Sequence, residues 1–184
     1  MIITPDIIAQ VNKGNQKVIL KLYHHTFNVL MSTAVRYKVN EEDQMTIVNN
    51  SFIKIVNNIE KFRIGTAYFS WAKRIVTNEA IDDFRKNSKY KELFNTEVDL
   101  EWNDTEVLND FEVEIEAEVL QKMLNQLPPA TKIVFNLFAI DGLDAAEICD
   151  ELKIGKETVK WHLKSARKNL RKTYRAMFMN ETDE

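Results

Sequence analysis

Apolar positions along this chain recur every three or four residues, a spacing that gathers them on one face of a helix at 100° per residue. The pattern is clearest at 141–175, DGLDAAEICDELKIGKETVKWHLKSARKNLRKTYR. There Val159, Leu163, Ala166 and Leu170 follow one another at spacings of four, three and four and define a buried face. Opposite lie Glu157, Trp161, Lys164 and Lys168, flanked by Lys160 and Arg171, a solvated strip of positive charge with one ring. A preceding helix over 144–152 has its own apolar set in Ala145, Ile148, Cys149 and Leu152. Two helices that share a buried face across a turn of about four residues read as a helix-turn-helix, whose second helix suits a DNA major groove. An ordinary helical hairpin with a basic, solubilising outer face is the alternative. Against it, only Glu157 offsets the positive charge between Lys153 and Arg175, and Leu127, Pro128 and Pro129 mark a sharp start to another helix.

The same periodicity predicts elements along the rest of the chain. A short helix over 4–12, capped near Thr4 or Asp6, has Ile7, Ile8 and Val11 on its apolar face. Residues 13–15 break it, and a long helix runs from 16 to about 39 with Val18, Leu22, Phe27, Val29, Leu30, Ala34 and Tyr37 available to a core. Asn40 and three acids open the next, whose apolar set of Met45, Ile47, Val48, Phe52, Ile55, Val56 and Ile59 continues to Phe62. Its outward residues are Thr46, Asn49, Asn50 and Lys54. A glycine-containing loop at 63–66 leads into Tyr68, Phe69 and Trp71 and then a helix bearing Arg74, Asn78, Asp82 and Arg85. Interleaved rings and cations suit unstacked single-stranded bases, because rings stack on bases while cations follow the backbone. Rings at this spacing also simply fill cores. Beyond the middle of the chain, Phe111, Val113, Ile115, Val119, Leu120, Met123 and Leu124 predict a helix ending at Pro128, and another follows over 131–140. The tail at 180–184 is expected to fray.

Composition narrows the class. A chain of 184 residues with 45% hydrophobic content can form one large or two small domains. Only 4 glycines and 3 prolines favour long helices over many-turned sheets, so an all-α chain is expected. No apolar run of about 18 residues and no leader pattern is visible, which predicts a cytoplasmic protein with no membrane insertion. The single cysteine, Cys149, is expected as a buried thiol. His24 and His25 have no ligand-type neighbours at metal spacing and read as surface or core-edge residues. With no phosphate loop, metal set or catalytic constellation, neither an enzyme, a cofactor nor a metal is expected.

The net charge of -3 conceals segregation. Residues 92–118 hold eleven acids and no Lys or Arg, leaving 25 bases against 17 acids elsewhere. Three parts follow: a helical domain over 1–91, an acidic linker over 92–112 and a second helical domain over 113–184. The linker is either a solvated tether or a surrogate for nucleic acid on the chain's own basic surfaces.

Trp71, Arg74, Ile75, Asn78, Ala80, Ile81, Asp82 and Arg85 form one pattern. Leu127, Pro128, Gly142, Glu147, Ile148, Thr158, Val159, Lys160, Ala166, Arg167 and Leu170 form another. In this order and spacing the chain resembles a bacterial RNA polymerase sigma factor of the extracytoplasmic-function (ECF) type over nearly its whole length. The resemblance implies two helical domains, the family's region 2 and region 4. It assigns melting and capture of the minus-ten element to a set of Arg63, Thr66, Tyr68, Arg74 and Asn78. It assigns the minus-thirty-five element to Lys156, Glu157, Lys160, Trp161, Lys164 and Lys168. Core polymerase is implied to bind the helix over 43–54 through Asp43, Thr46, Asn49 and Asn50, promoter DNA is the second partner, and an anti-sigma factor is a third. Family members usually carry an acid where Thr46 stands and a Gln–acid pair where Asn49 and Asn50 stand, so this chain brings less charge to that contact. Lys153 stands where glycine is common, at a cost on the order of 1 kcal/mol if its φ is positive. Two other readings stay open on the residues alone. One is a helix-turn-helix regulator that binds duplex DNA without polymerase, and the other an interaction protein that has kept the fold and lost promoter activity.

Overall fold

The computed structural model describes residues 1–87, Phe94 and 116–178, and the chain divides into two compact units, Met1–Asn87 and Ser88–Glu184. Apart from Phe94, the acidic stretch over 92–112 lies outside the described residues, as does the tail over 180–184. All regular structure among the described residues is helical.

The first three helices of this unit each start on a side-chain cap. Thr4 accepts from Ile7 N at 3.4 Å ahead of α1 (Pro5–Asn12), and Asn15 accepts from Lys17 N at 3.2 Å ahead of α2 (Gln16–Tyr37). Asn40 accepts from Glu42 N at 2.8 Å ahead of α3 (Glu41–Asn57), whose first turn adds three acids at the positive end of the helix dipole. Contrary to the periodicity, α3 does not run on to Phe62. Asn58 turns its amide back to the carbonyl of Lys54 at 2.8 Å, and the chain tightens into a 3-10 turn at Ile59–Lys61. Ile59 still reaches the core. After a loop, α4 (Tyr68–Asn87) completes the unit.

Leu22, Leu30, Ile47, Val48, Ile55 and Val76 are buried where α2, α3 and α4 meet. Three polar residues share that interior without penalty, because each hydroxyl donates to a carbonyl one turn back. These are Thr26 to Leu22 at 2.8 Å, Thr33 to Val29 at 2.9 Å and Ser51 to Ile47 at 2.6 Å.

The second unit contains α5 (Ala117–Asn125), α6 (Pro129–Ala139), α7 (Ala145–Leu152) and α8 (Lys156–Phe178). The part of the expected fifth helix over 111–115 lies outside the described residues. α5 stops at Asn125, short of Pro128, since residues preceding proline avoid helical geometry, and Pro129 occupies the first turn of α6, two residues earlier than expected. Lys132 is buried beneath this corner and donates to Asn125 Oδ1 at 2.7 Å; desolvation lowers its pKa to about 8.

α7 opens with a capping box. Asp144 accepts from the Ala146 and Glu147 amides at 2.8 Å each, and Glu147 accepts from the Asp144 amide at 2.8 Å. Ile148 and Leu152 carry its buried face, whereas Cys149, expected buried, is partly exposed beside them. The helix ends at Lys153 with φ 53° and ψ 40°, the left-handed conformation that glycine usually supplies. Replacing Lys153 by Gly is therefore expected to stabilise this unit by about 0.5–1 kcal/mol, the relief of strain less the added freedom of the unfolded chain. A rise in the urea midpoint at constant m would show it, and a fall would mean that the lysine side chain contributes more than its backbone costs.

Candidate nucleic-acid interface

The apolar stripe of α8, with Val159, Leu163 and Ala166 buried, turns the opposite face to solvent. Lys156, Glu157, Lys164 and Lys168 are exposed there, and Lys160 and Trp161 are half-exposed. Lys160 Nζ donates to Glu157 Oε1 at 2.9 Å, so the one acid of the strip holds one of its cations in place. All six residues expected to read duplex DNA thus line one helix, and that helix is set by the capped turn before it.

Periodicity alone did not draw attention to His162, the buried neighbour of this face. It is 2% exposed, its Nδ1 lies 2.9 Å from Thr131 Oγ1, and its ring meets those of Trp161 and Phe94 edge-on at 4.8 and 5.2 Å. Its Nε2 has no hydrogen-bond partner, and desolvation lowers the pKa to about 4. The signal was present, since position 162 lies three after Val159 and four before Ala166, on the buried stripe itself. His162 backs Trp161 from inside and ties α8 to α6.

In the first unit Arg63, Thr66, Arg74 and Asn78 are all exposed. The loop before α4 turns at Gly65, φ 90°, and is closed by Thr66 Oγ1 donating to the Arg63 carbonyl at 2.7 Å. Tyr68 corrects the sequence reading. It faces inward at 8% exposure, its hydroxyl 2.8 Å from Thr26 Oγ1 and its ring edge-on to Phe62 at 5.6 Å, and burial pushes its pKa up to about 12. Tyr68 is a wall of the core that supports the loop, and the exposed apolar side chains beside it are Ile64 and Phe69.

On α3, Asp43, Thr46, Asn49 and Asn50 are exposed along one face. Asn50 Nδ2 donates to Glu79 Oε1 at 3.0 Å, and Glu79, 6% exposed on α4, pairs with Lys54 at 2.5 Å. Lys54 also reaches Asp82 at 3.4 Å, and these contacts, the hydrogen bond to Glu79 foremost, raise its pKa. A carboxylate from α4 therefore sits directly beside Asn50. His24 is exposed and His25 half-buried, and no cluster of metal-binding side chains occurs among the described residues. No helix among the described residues is long and apolar enough to cross a membrane.

Residues 3–176 match the family model described as ECF sigma factor. The chain is 29% identical over 182 residues to the ECF RNA polymerase sigma factor SigW of Bacillus subtilis (strain 168), covering 91% of this chain and 95% of that protein. It is 26% identical over 156 residues to the ECF RNA polymerase sigma-E factor of Haemophilus influenzae, covering 78% and 82%. Among solved structures it is similar to the sigma factor RpoE in complex with the anti-sigma factor NepR from Bartonella quintana, with TM-score 0.49 and 15% identity over 95% of this chain and 99% of that one.

Proposed function

The chain belongs to the ECF sigma factor family, and on that premise we propose that its two units divide the reading of one promoter between them. The protein binds core RNA polymerase and directs it to promoter DNA. The second unit lays α8 in the major groove of the minus-thirty-five element, where Lys160 and Glu157 reach base edges and Lys156, Lys164 and Lys168 take phosphates, with Trp161 beside them. The first unit holds the opened minus-ten strand on Arg63, Thr66, Arg74 and Asn78. Asp43, Thr46, Asn49 and Asn50 face the polymerase. The chain acts in the cytoplasm without catalysing a reaction of its own, and an anti-sigma factor holds it until it is needed.

One observation supports this reading over that of a stand-alone regulator: exposed cations occupy two separate faces, Arg74 beside Asn78 on α4 and the strip on α8. A duplex-binding regulator needs only the second. The test is co-purification with core polymerase followed by run-off transcription on sheared genomic DNA. Discrete transcripts are expected from the wild type and a reduction of about ten-fold or more in both Lys160→Ala and Asn78→Ala, since each removes a contact worth about 1–3 kcal/mol. Duplex binding without polymerase capture would transfer the assignment to the regulator.

A further inference from the structure

The stretch expected as an acidic linker puts one described side chain into the second unit. Phe94 is 8% exposed, and its ring meets that of His162 edge-on, at 5.2 Å and 84°. The unit itself begins at Ser88, ahead of the acids. The same imidazole meets the indole of Trp161 at 4.8 Å and 86°, and its Nδ1 lies 2.9 Å from Thr131 Oγ1 on α6. Three parts of the sequence therefore converge on one ring: the start of the acidic stretch, α6 and α8.

What these contacts fix is the indole. Trp161 is half-exposed on the basic strip, and an indole free to change rotamer must be ordered when it meets DNA, a cost that falls on affinity. His162 can hold it only if its own plane is held. The hydrogen bond to Thr131 fixes one atom of the imidazole, and Nε2 has no hydrogen-bond partner among the described residues. A second contact is needed to stop the ring turning about the first, and the Phe94 ring supplies it by edge-to-face packing. The lysines of the strip take phosphates by charge wherever the indole points, so Phe94 bears on the reading of a duplex and not on the general grip.

We infer that Phe94 is a positioning residue for duplex recognition: it wedges His162 in place and through it holds Trp161 at the DNA-facing side of α8. The inference rests on the assignment of α8 to the minus-thirty-five element and adds to it a residue that lies before 113–184, the part to which the sequence confined that task. Recognition by α8 is thus completed by a side chain from the far side of the acidic stretch. Its loss lowers discrimination between duplexes and leaves phosphate contacts as they are.

The test uses the full chain and two fluorescently labelled duplexes read by anisotropy, one selected by the wild-type chain from a randomised pool and one unselected. Phe94→Ala and Trp161→Ala are each expected to weaken binding of the selected duplex about five-fold, within the range of one aromatic pair. The double variant should lose no more than about five-fold, because the two side chains act as a unit. Binding of the unselected duplex should stay at the wild-type level in all three. With Trp71 and Trp102 replaced by Phe, acrylamide quenching of Trp161 without DNA should rise in Phe94→Ala. If Phe94→Ala loses its cooperative urea transition, Phe94→Leu carries the same cycle, with a loss of about two-fold expected from the smaller change in volume. Additive losses, unchanged quenching, an equal loss on both duplexes or full affinity in Trp161→Ala would overturn the role of Phe94, and the reading of α8 would stand if Lys160→Ala still weakened the selected duplex. Failure of the wild type to enrich any duplex, or full affinity in Lys160→Ala, would remove the reading of α8 and the role of Phe94 together.

Discussion

Acidification from pH 7 toward 4 is expected to cost the second unit about 3 kcal/mol through His162 alone. In the unfolded chain a histidine takes up its proton near pH 6.5. In the folded unit desolvation holds His162 neutral down to about 4. Above pH 6.5 both states carry a neutral ring and the group contributes no pH dependence. Between those values only the unfolded state binds the proton, so stability falls by about 1.4 kcal/mol per pH unit, and below the folded value the loss levels off. The burial of the ring at 2% exposure, with Nε2 facing no acceptor, is the physical reason. Urea unfolding followed by tryptophan fluorescence at a series of pH values, compared with His162→Gln, isolates this group from the carboxylates that also titrate. The variant should be the weaker at pH 7, and the gap should close as pH falls. Parallel curves would assign the acid sensitivity elsewhere.

Lys54→Leu is expected to destabilise the first unit by about 2 kcal/mol, and Lys54→Leu combined with Glu79→Leu to recover most of that loss. Removing one partner of a buried ion pair strands the other charge, at about 3–5 kcal/mol when both are enclosed. Here the Glu79 side chain is 9% exposed but that of Lys54 is 45% exposed, so solvent moderates the effect. Removing both partners removes the stranded carboxylate as well, which a double-mutant cycle on urea midpoints would measure. Additive losses would mean that Glu79 is satisfied by Asn50 alone. Lys160 and Glu157 on α8 make a useful contrast. Their 2.9 Å pair has 43% and 63% of the side chains exposed, so its rupture should cost at most about 0.5 kcal/mol and register in DNA binding instead. The Asn50–Glu79–Lys54 network also joins the face proposed for polymerase to the helix proposed for the minus-ten strand. Co-purification with core polymerase is therefore a second informative readout of the Lys54→Leu variant.

Helix identity and the two-part helical plan could be read from the chain because amphipathic periodicity and capping are local. Asp144 with Glu147 and Asn40 with its acids act over one turn of their own helix and need no other segment. The strip on α8 could be read for the same reason, since a solvated face is the complement of the apolar stripe on that helix. Positive φ at Lys153 was suggested only by the resemblance, which has glycine commonly at that turn position, and its φ is 53°.

The inward and outward sides of the aromatic cluster could not be read so. Tyr68 and Phe69 are adjacent in sequence, and either could have faced the core. What separates them is Thr26, 42 residues away, whose hydroxyl meets that of Tyr68 only because α2 crosses the start of α4 at that point. Likewise the carboxylate beside Asn50 comes from Glu79, 29 residues along, and the hydrogen-bond partner of His162 Nδ1 is Thr131, 31 residues back. Local spacing sets which face of a helix is apolar, because it reflects the geometry of that one helix. Which polar group is satisfied, which ring stays open and which charge is held depend on where helices cross, and that is decided when the whole unit closes around a shared core and each buried donor and acceptor must find its partner.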